Sequence, residues 1–130
     1  MKIVGHQNVL FVKNFGVMSR FYTEVLGFHV DESSAQYEDW LPLQLGQMRL
    51  ALHAIPPVYA ADIVITDPPQ ARADMPFKPV FLVADLRLAV LDLQAVGVPR
   101  LKGDAGTDVD AVDFLDPEGN VFQIAKADVG

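Results

Sequence analysis

Residues 113–125, "DFLDPEGNVFQIA", decide the fold prediction for this chain. Residues that favour strands (Phe, Leu, Val and Ile) flank the central "DPEGN" on both sides. Pro and Gly within that centre are typical of a tight turn, because Pro fixes one backbone angle and Gly accepts conformations that other residues avoid. The segment therefore predicts a β-hairpin with strands at 111–116 and 120–126.

A strand, a helix and another strand precede this hairpin. The first strand is predicted over 79–85, "PVFLVAD", and Asp85 is a suitable N-cap for the helix that follows. Apolar residues then recur at helical spacing up to Val96, and Gly97 is suited to end the helix in a left-handed conformation. Strand 98–102, "VPRLK", completes a β-α-β-β-β order.

The first part of the chain repeats this order. Strand 8–14, "NVLFVKN", leads to a helix predicted over 15–26, with Asn14 as its N-cap and Gly27 just beyond its end. Three further strands follow, at 28–33, 40–45 and 48–54.

Matching positions indicate an internal repeat. Val12 matches Val83 at a strand end and Gly27 matches Gly97 at a helix end, so the two copies lie about 70 residues apart. The proline-rich segment between them is predicted as linker and loop over a pocket, although "DIVIT" at 62–66 allows a short strand. We predict one domain with three parts: a first module at 1–54, a linker at 55–77 and a second module at 78–130.

The bulk composition excludes several classes of function. The chain has 130 residues and a formal net charge of −7, which disfavours binding to nucleic acid or to an anionic membrane. It contains no cysteine, so disulfide frameworks, thiolate metal sites and thiol nucleophiles are excluded. No stretch is apolar enough for a signal peptide or a membrane span. These features favour a cytoplasmic protein with no nucleic-acid or membrane partner.

Together, the repeat, "RFYTEVLGF" at 20–28 and "DFLDPEGNVFQI" at 113–124 resemble the vicinal oxygen chelate superfamily. That superfamily includes glyoxalase I, bleomycin- and fosfomycin-resistance proteins and extradiol dioxygenases. The resemblance implies an α+β fold in which two βαβββ modules form an open cupped sheet around a pocket. It also implies a homodimer, because an isolated cup leaves sheet edges and an apolar face uncovered.

The resemblance also implies four positions for metal ligands, and these fall on Gln7, Ala51, Lys78 and Gln123. Alanine has no donor atom, an ammonium has no lone pair, and two neutral amides offer a divalent cation no negative charge. We therefore predict no metal and no other cofactor, with these four positions as vestiges of a metal site. The alternative is a divalent metal at a displaced site formed by Gln7, His53 and Gln123, because His53 shares a strand face with Ala51.

Two functions follow from the resemblance. The first is bleomycin-resistance-like sequestration of a small-molecule ligand, and the second is an enzyme of the glyoxalase, lyase or dioxygenase type. The enzyme would use either a displaced metal or metal-free catalysis by His53, the one candidate catalytic residue. The predicted ligand pocket comprises Gln7, Arg49, Ala51, His53, Lys78 and Gln123.

The sequence does not decide the charge of the ligand. The net charge of −7 favours neutral or cationic ligands, whereas Lys78 and Arg49 favour an anion. Trp40, Tyr37 and Tyr59 suit either packing or stacking on a flat ligand. The Asp-rich stretch 103–113 lacks the Gly and Glu of a calcium loop, so we predict a solvated loop there.

Overall fold

A computed structural model describes residues 1–101 and 110–127 of the chain. It confirms the α+β class: the strands form one four-stranded and one three-stranded sheet, each accompanied by a helix. The elements in chain order are β1 (Asn8–Val12), α1 (Phe15–Arg20), a π-helical segment (Phe21–Val25), β2 (His29–Val30), β3 (Trp40–Leu45), β4 (Met48–Ala54), α2 (Pro57–Ala60), β5 (Val80–Val83), α3 (Leu86–Ala95), β6 (Ala111–Leu115) and β7 (Val121–Lys126).

The chain divides into two compact units, Met1–Val64 and Ile65–Gly130. The first unit contains the four-stranded sheet in the order β1-β4-β3-β2, with β1 parallel to β4 and the other neighbours antiparallel. Helix α1 packs on β4. The core of the first unit is formed by large apolar side chains, namely Val12, Met18, Phe21, Tyr22, Phe28, Leu43, Leu50 and Leu52.

The first helix changes its winding after Arg20. The Leu26 N–H donates to the Phe21 carbonyl at 3.1 Å, which is the five-residue spacing of a π-turn. On both sides of this change, the hydroxyls of Ser19 and Thr23 donate to carbonyls four residues earlier, a pattern that disturbs regular helix geometry. The predicted span 15–26 is thus helical but only partly α-helical, and Gly27 ends it with φ +83° as expected.

The second unit contains the three-stranded sheet in the order β5-β7-β6. Strand β5 is parallel to β7, and β6 is antiparallel to β7. Helix α3 packs on β7, and the buried aromatic rings of Phe114 and Phe122 stack with centroids 5.9 Å apart. The predicted N-cap is confirmed, because the Asp85 carboxylate accepts from the Leu88 N–H at 3.0 Å. In the first unit Asn14 occupies the N-cap position as predicted, but its side chain makes no capping hydrogen bond.

Two predicted strands lose most of their predicted length, whereas the others are shortened by at most three residues. Strand 28–33 is reduced to His29–Val30, because the Asp31 carbonyl and carboxylate accept from Ser33 and Ser34 and turn the chain. The described part of strand 98–102 forms only an isolated bridge between Arg100 and Phe114. Its last residue, and most of the predicted loop 103–113, lie outside the described residues.

The segment 55–77 contains a short helix that the sequence pattern did not predict. This helix, α2, begins directly after Pro56 with a second proline at its first position, where a missing N–H costs no hydrogen bond. Residues 62–66 form no strand, so the alternative for "DIVIT" was wrong.

The turn between β6 and β7 is the most polar part of the core. The buried Asp116 carboxylate accepts from the N–H groups of Glu118 and Asn120 at 2.9 and 3.0 Å and from the Asn120 side chain at 2.8 Å. These bonds satisfy the carboxylate inside the unit. They fix the "DPEGN" backbone as a rigid loop, which we call the acidic turn (116–120).

The acidic turn holds part of the preceding segment. Arg72 donates from its backbone N–H to the Gly119 carbonyl and from Nε to the Glu118 carbonyl, both at 3.0 Å. Its Nη2 lies 3.4 Å from the carboxylate of Glu118, whose side chain is completely buried. Gly119 has φ +82°, and a Cβ there would lie 2.1 Å from the Gln70 carbonyl oxygen. These contacts hold residues 70–72 against the acidic turn, and we call them the clamp.

Candidate functional site

Each unit has one sheet face without its helix, and the predicted pocket residues that belong to strands lie on these faces: Arg49, Ala51 and His53 in the first unit and Gln123 in the second. In the first unit, Ala51 is paired with Val9 on β1 and with Pro42 on β3. Two residues further along β4, His53 is paired with Phe11 and Trp40. Residues paired across a sheet point to the same side. Ala51 and His53 therefore share the face opposite Leu50 and Leu52, which are buried.

Three rings form a row across this face. The His53 ring lies between Phe11 and Trp40, with centroid distances of 5.3 Å to Phe11 and 5.4 Å to Trp40. Phe11 is 57% exposed, unusual for a large apolar side chain, while Trp40 is half-buried. We call Phe11, His53 and Trp40 the aromatic row. It presents a flat, partly solvated aromatic surface.

A carboxylate stands at the polar edge of the aromatic row. Asp39 Oδ2 lies 3.6 Å from His53 Nε2, an ion pair when the imidazole is protonated. The two side chains are 64% and 33% exposed, so both remain reachable from solvent. Paired backbone hydrogen bonds between Tyr37 and Trp40, at 3.0 and 3.2 Å, close the turn that carries Asp39. The histidine thus has aromatic neighbours on two sides and an acid on a third.

The other predicted residues of the first unit differ in position. Gln7 lies one residue before β1 and is exposed, as is Arg49 on β4. Ala51 is fully buried. Hydrogen bonds from Ser33 and Ser34 lower the pKa of Asp31 below its usual value, and Arg49 adds a smaller lowering through its charge. Arg49 therefore has an acidic neighbour of its own.

The aromatic row was only partly predicted. His53 and Trp40 were candidates, but Phe11 and Asp39 were missed. The signal for Phe11 was present: in "NVLFV", Val9 and Phe11 alternate with Leu10 and Val12, and Val12 is buried. Asp39 carries no periodic signal because it lies in a turn. Tyr37 and Tyr59, the other stacking candidates, are both exposed.

In the second unit, Lys78 and Gln123 converge on an acid. Gln123 on β7 is paired with Asp113 on β6, and its Nε2 donates to Asp113 Oδ1 at 3.0 Å. Lys78 Nζ lies 3.4 Å from each carboxylate oxygen of Asp113. We call Lys78, Asp113 and Gln123 the polar triad. It lies on the sheet face opposite the buried Val112, Phe114, Phe122 and Ile124.

Asp113 was not among the predicted site residues. It was assigned to a strand and to the edge of an acidic loop, without regard to the face of the sheet. Its neighbours supply the missing signal, since Val112 and Phe114 are buried and a residue between them must face the other way. A lone acid on that face, across from Gln123, marks the triad.

The four positions implied for metal ligands do not fit a divalent ion. Ala51 has no donor, and the Lys78 ammonium and the Gln123 amide nitrogen both point to Asp113. The one carboxylate of the triad is thus already matched with a cation. Within residues 1–101 and 110–127, no group of three or more His, Asp or Glu side chains is arranged to hold a metal. The displaced site with Gln7, His53 and Gln123 stays a prediction.

Comparison with known proteins identifies the family. Residues 8–125 match the model of the glyoxalase-like domain, so the chain belongs to that family. This agrees with the resemblance to the vicinal oxygen chelate superfamily. A search of curated proteins finds no match. No helix in the described ranges combines the length and apolar character needed to cross a membrane.

Several solved structures share the fold. The antibiotic-binding protein TnmS3 from Streptomyces sp. CB03234 is 20% identical, with a TM-score of 0.63 over 98% of this chain and 100% of that one. A glyoxalase/bleomycin resistance protein/dioxygenase family enzyme from Burkholderia phytofirmans PsJN is 24% identical, with a TM-score of 0.65 over 91% and 94%. The fosfomycin resistance protein FosX from Mesorhizobium loti is 12% identical, with a TM-score of 0.64 over 98% and 96%.

Proposed function

We propose that this member of the glyoxalase-like domain family binds a small molecule with a planar ring, and that the aromatic row is its contact surface. The observation that carries the proposal is the exposure of Phe11 beside His53 and Trp40. Leaving a phenyl ring in water forgoes about 1.5–3 kcal/mol of burial free energy. A planar ligand that covers the row recovers this energy and adds ring–ring contacts.

Relatives of this fold support a binding role. TnmS3 is an antibiotic-binding protein, so the same fold binds a small molecule in another chain, and FosX is a fosfomycin resistance protein. A fold alone does not determine a function, so the proposal rests on the aromatic row of this chain. We therefore propose sequestration of the ligand without a metal or another cofactor, in line with the donor set at Gln7, Ala51, Lys78 and Gln123.

The second candidate function is metal-free catalysis at His53. It is favoured by the carboxylate of Asp39, which lies 3.6 Å from His53 Nε2, because a polar partner at that distance restrains the orientation of the imidazole ring. In this version His53 removes or delivers a proton on the ligand that lies on the row. The two functions use the same surface and differ in whether the ligand is changed.

The proposal includes a cytoplasmic homodimer. Strands β1 and β5 are edge strands of their sheets and expose the apolar residues Val9, Val80 and Leu82. Exposed edges with apolar side chains favour pairing with another chain. Sedimentation of the purified protein gives its mass in solution directly.

Tryptophan fluorescence tests ligand binding at the row, because Trp40 is the single tryptophan of the chain. Titration with a set of planar aromatic compounds should change its emission and yield a saturating curve. Phe11→Ala should weaken binding about tenfold, since a lost ring contact is worth about 0.5–1.5 kcal/mol beyond buried area. Leu82→Ala, at the matching exposed position of β5, is the control and should leave affinity unchanged.

The variant His53→Ala separates the two functions. Sequestration predicts a modest loss of affinity and recovery of the ligand unchanged, as judged by mass spectrometry after incubation. Catalysis predicts a ligand altered by the wild type, with turnover lower by about 10²–10⁴-fold in the variant. Equal affinity of wild type and Phe11→Ala for every bound compound would exclude the aromatic row as the contact surface.

A further inference from the structure

We infer that the polar triad of the second unit is a binding site for a neutral carboxamide group, in which Asp113 is a positioning residue and Gln123 and Lys78 contact the ligand. This inference goes beyond the proposed function and does not depend on the aromatic row. Its basis is the combination of one acid, one amide and one ammonium on the open face of β6 and β7.

Asp113 fixes the orientation of the Gln123 amide. An ionised carboxylate only accepts hydrogen bonds, so the amide must present its NH₂ group to Asp113. The Nε2–Oδ1 distance of 3.0 Å and the direct pairing of the two residues across β6 and β7 agree with this assignment. The amide oxygen Oε1 then points away from the carboxylate.

Oε1 remains available to a ligand. In the described part of the chain, Gln123 makes no hydrogen bond besides the one to Asp113 and those of its backbone. No buried side-chain oxygen or nitrogen of that part lacks a partner, so Oε1 reaches the protein surface. A partner for Oε1 must donate, because an amide oxygen only accepts.

Lys78 supplies the complementary donor. Its ammonium carries three N–H groups and lies equally far from both Asp113 oxygens, at 3.4 Å, with the side chain 41% exposed. These bonds are long, and at least one N–H remains for a ligand oxygen. The charge of Lys78 is matched by Asp113, so the triad as a whole is neutral.

A carboxamide fits this arrangement better than a carboxylate does. Its N–H donates to Gln123 Oε1 and its carbonyl oxygen accepts from Lys78. A carboxylate has no donor for Oε1, and its negative charge faces that of Asp113. The open question of ligand charge is thereby answered for this site: Lys78 is paired, and the site selects a neutral group.

The test uses benzamide and benzoate, which share a ring and differ in the group that the triad contacts. Binding to the full ¹⁵N-labelled chain is followed by NMR through the Gln123 side-chain amide and the β7 backbone amides. We expect benzamide to bind at least about tenfold more tightly than benzoate, since benzoate offers no donor to Oε1 and its negative charge faces that of Asp113. In the free protein, the Gln123 side-chain protons should show the slow exchange of a hydrogen-bonded group.

Asp113→Asn is the decisive variant. Asn donates as well as accepts, so the Gln123 amide is no longer fixed, and Lys78 becomes free to attract an anion. The preference for benzamide should fall to about one, with benzoate affinity rising. Asp110→Asn removes the same charge just before β6, outside the triad, and should keep the wild-type preference.

Gln123→Met provides a second variant that keeps Asp113 and Lys78. It removes the acceptor and should lose most of the benzamide affinity with little change for benzoate. Equal wild-type affinity for the two probes, an unchanged preference in Asp113→Asn, or binding by neither probe would overturn the inference. Trp40 fluorescence remains an independent measure of the aromatic row, so failure here is distinct from failure of the proposed function.

Discussion

The two units share one plan but carry different chemistry on their open sheet faces. Strand β1 is parallel to β4 as β5 is to β7, and the pair Val9–Ala51 in the first unit corresponds to Val80–Gln123 in the second. Where the second unit has an amide that bonds to an acid, the first has a buried methyl group. The polar triad therefore has no counterpart in the first unit.

One step further along the strands the contrast reverses. The first unit has the aromatic row of Phe11, His53 and Trp40, whereas the second has Leu82 beside Ala125 and Ala111. The helix-facing sides remain alike, with large apolar residues in both units. Close packing restricts the helix-facing side, because even one methylene is felt there. The opposite side is less uniformly buried: Ala51 is fully buried, whereas Phe11 is exposed and Gln123 is partly exposed. The chemistry that differs between the two units is thus found on the faces opposite the helices.

The hairpin turns differ as much as the faces, and glycine substitution should expose the difference. Gly119 and Gly46 both have positive φ, but a Cβ meets the Gln70 carbonyl at 2.1 Å in the first case and nothing within 4 Å in the second. Left-handed backbone costs Ala about 1–2 kcal/mol. We expect Gly46→Ala to lower the free energy of unfolding by about that amount.

For Gly119→Ala we expect a loss of about 3–4 kcal/mol, because the clamp on residues 70–72 must also open and its hydrogen bonds are lost. Urea unfolding of the two variants beside the wild type measures both values. Equal losses would mean that the contacts of residues 70–72 with the acidic turn add nothing to the free energy of unfolding. The two turns would then contribute equally to stability.

The ion pair between Arg72 and Glu118 allows a second comparison of stability between the two units. Arg72→Ala removes the cation that lies 3.4 Å from the buried Glu118 carboxylate, and breaking a fully buried pair costs about 3–5 kcal/mol. Because Arg72 is partly exposed, we expect a smaller loss of about 2–3 kcal/mol. Arg49→Ala, at an exposed position in the first unit, is the matched control and should change stability by less than about 0.5 kcal/mol.

Glu118→Gln distinguishes charge from shape in this clamp. Gln fills the same space and still accepts from Arg72, so a loss near 1 kcal/mol is expected when the hydrogen bonds dominate. If Glu118→Gln is as unstable as Arg72→Ala, the charge of the ion pair accounts for the stability that the clamp provides. A stable Arg72→Ala variant would show that the backbone bonds to residues 118 and 119 are sufficient by themselves.

Sequence patterns predicted the fold well because the repeat and the turns carry local signals. The hairpin 40–54 and the hairpin around "DPEGN" follow from strand-forming residues bounded by Gly and Pro. Positive φ at Gly27 and Gly97 was likewise predictable from their places after helices. Helix α2 was not, because it has only one turn and no apolar period.

The candidate site was harder to predict because it depends on register and on side-chain partners. Lys78 and Gln123 came from the resemblance, but their common partner Asp113 is ten residues from one and 35 from the other. Contacts across strands of this separation leave no periodic trace in a single sequence. Phe11 and Asp113 were within reach only through strict alternation of strand faces.

Helix capping offers the smallest and most local comparison. Asp85 caps α3 through its bond to the Leu88 N–H, whereas the Asn14 side chain makes no capping bond to α1, although both residues precede their helices. Asp85→Ala should lower the free energy of unfolding by about 1 kcal/mol. Asn14→Ala should lower it by no more than about 0.5 kcal/mol. Urea unfolding of the two variants measures both losses. Similar losses would mean that Asn14 stabilises its helix in another way. The two caps would then differ in geometry but not in their contribution to stability.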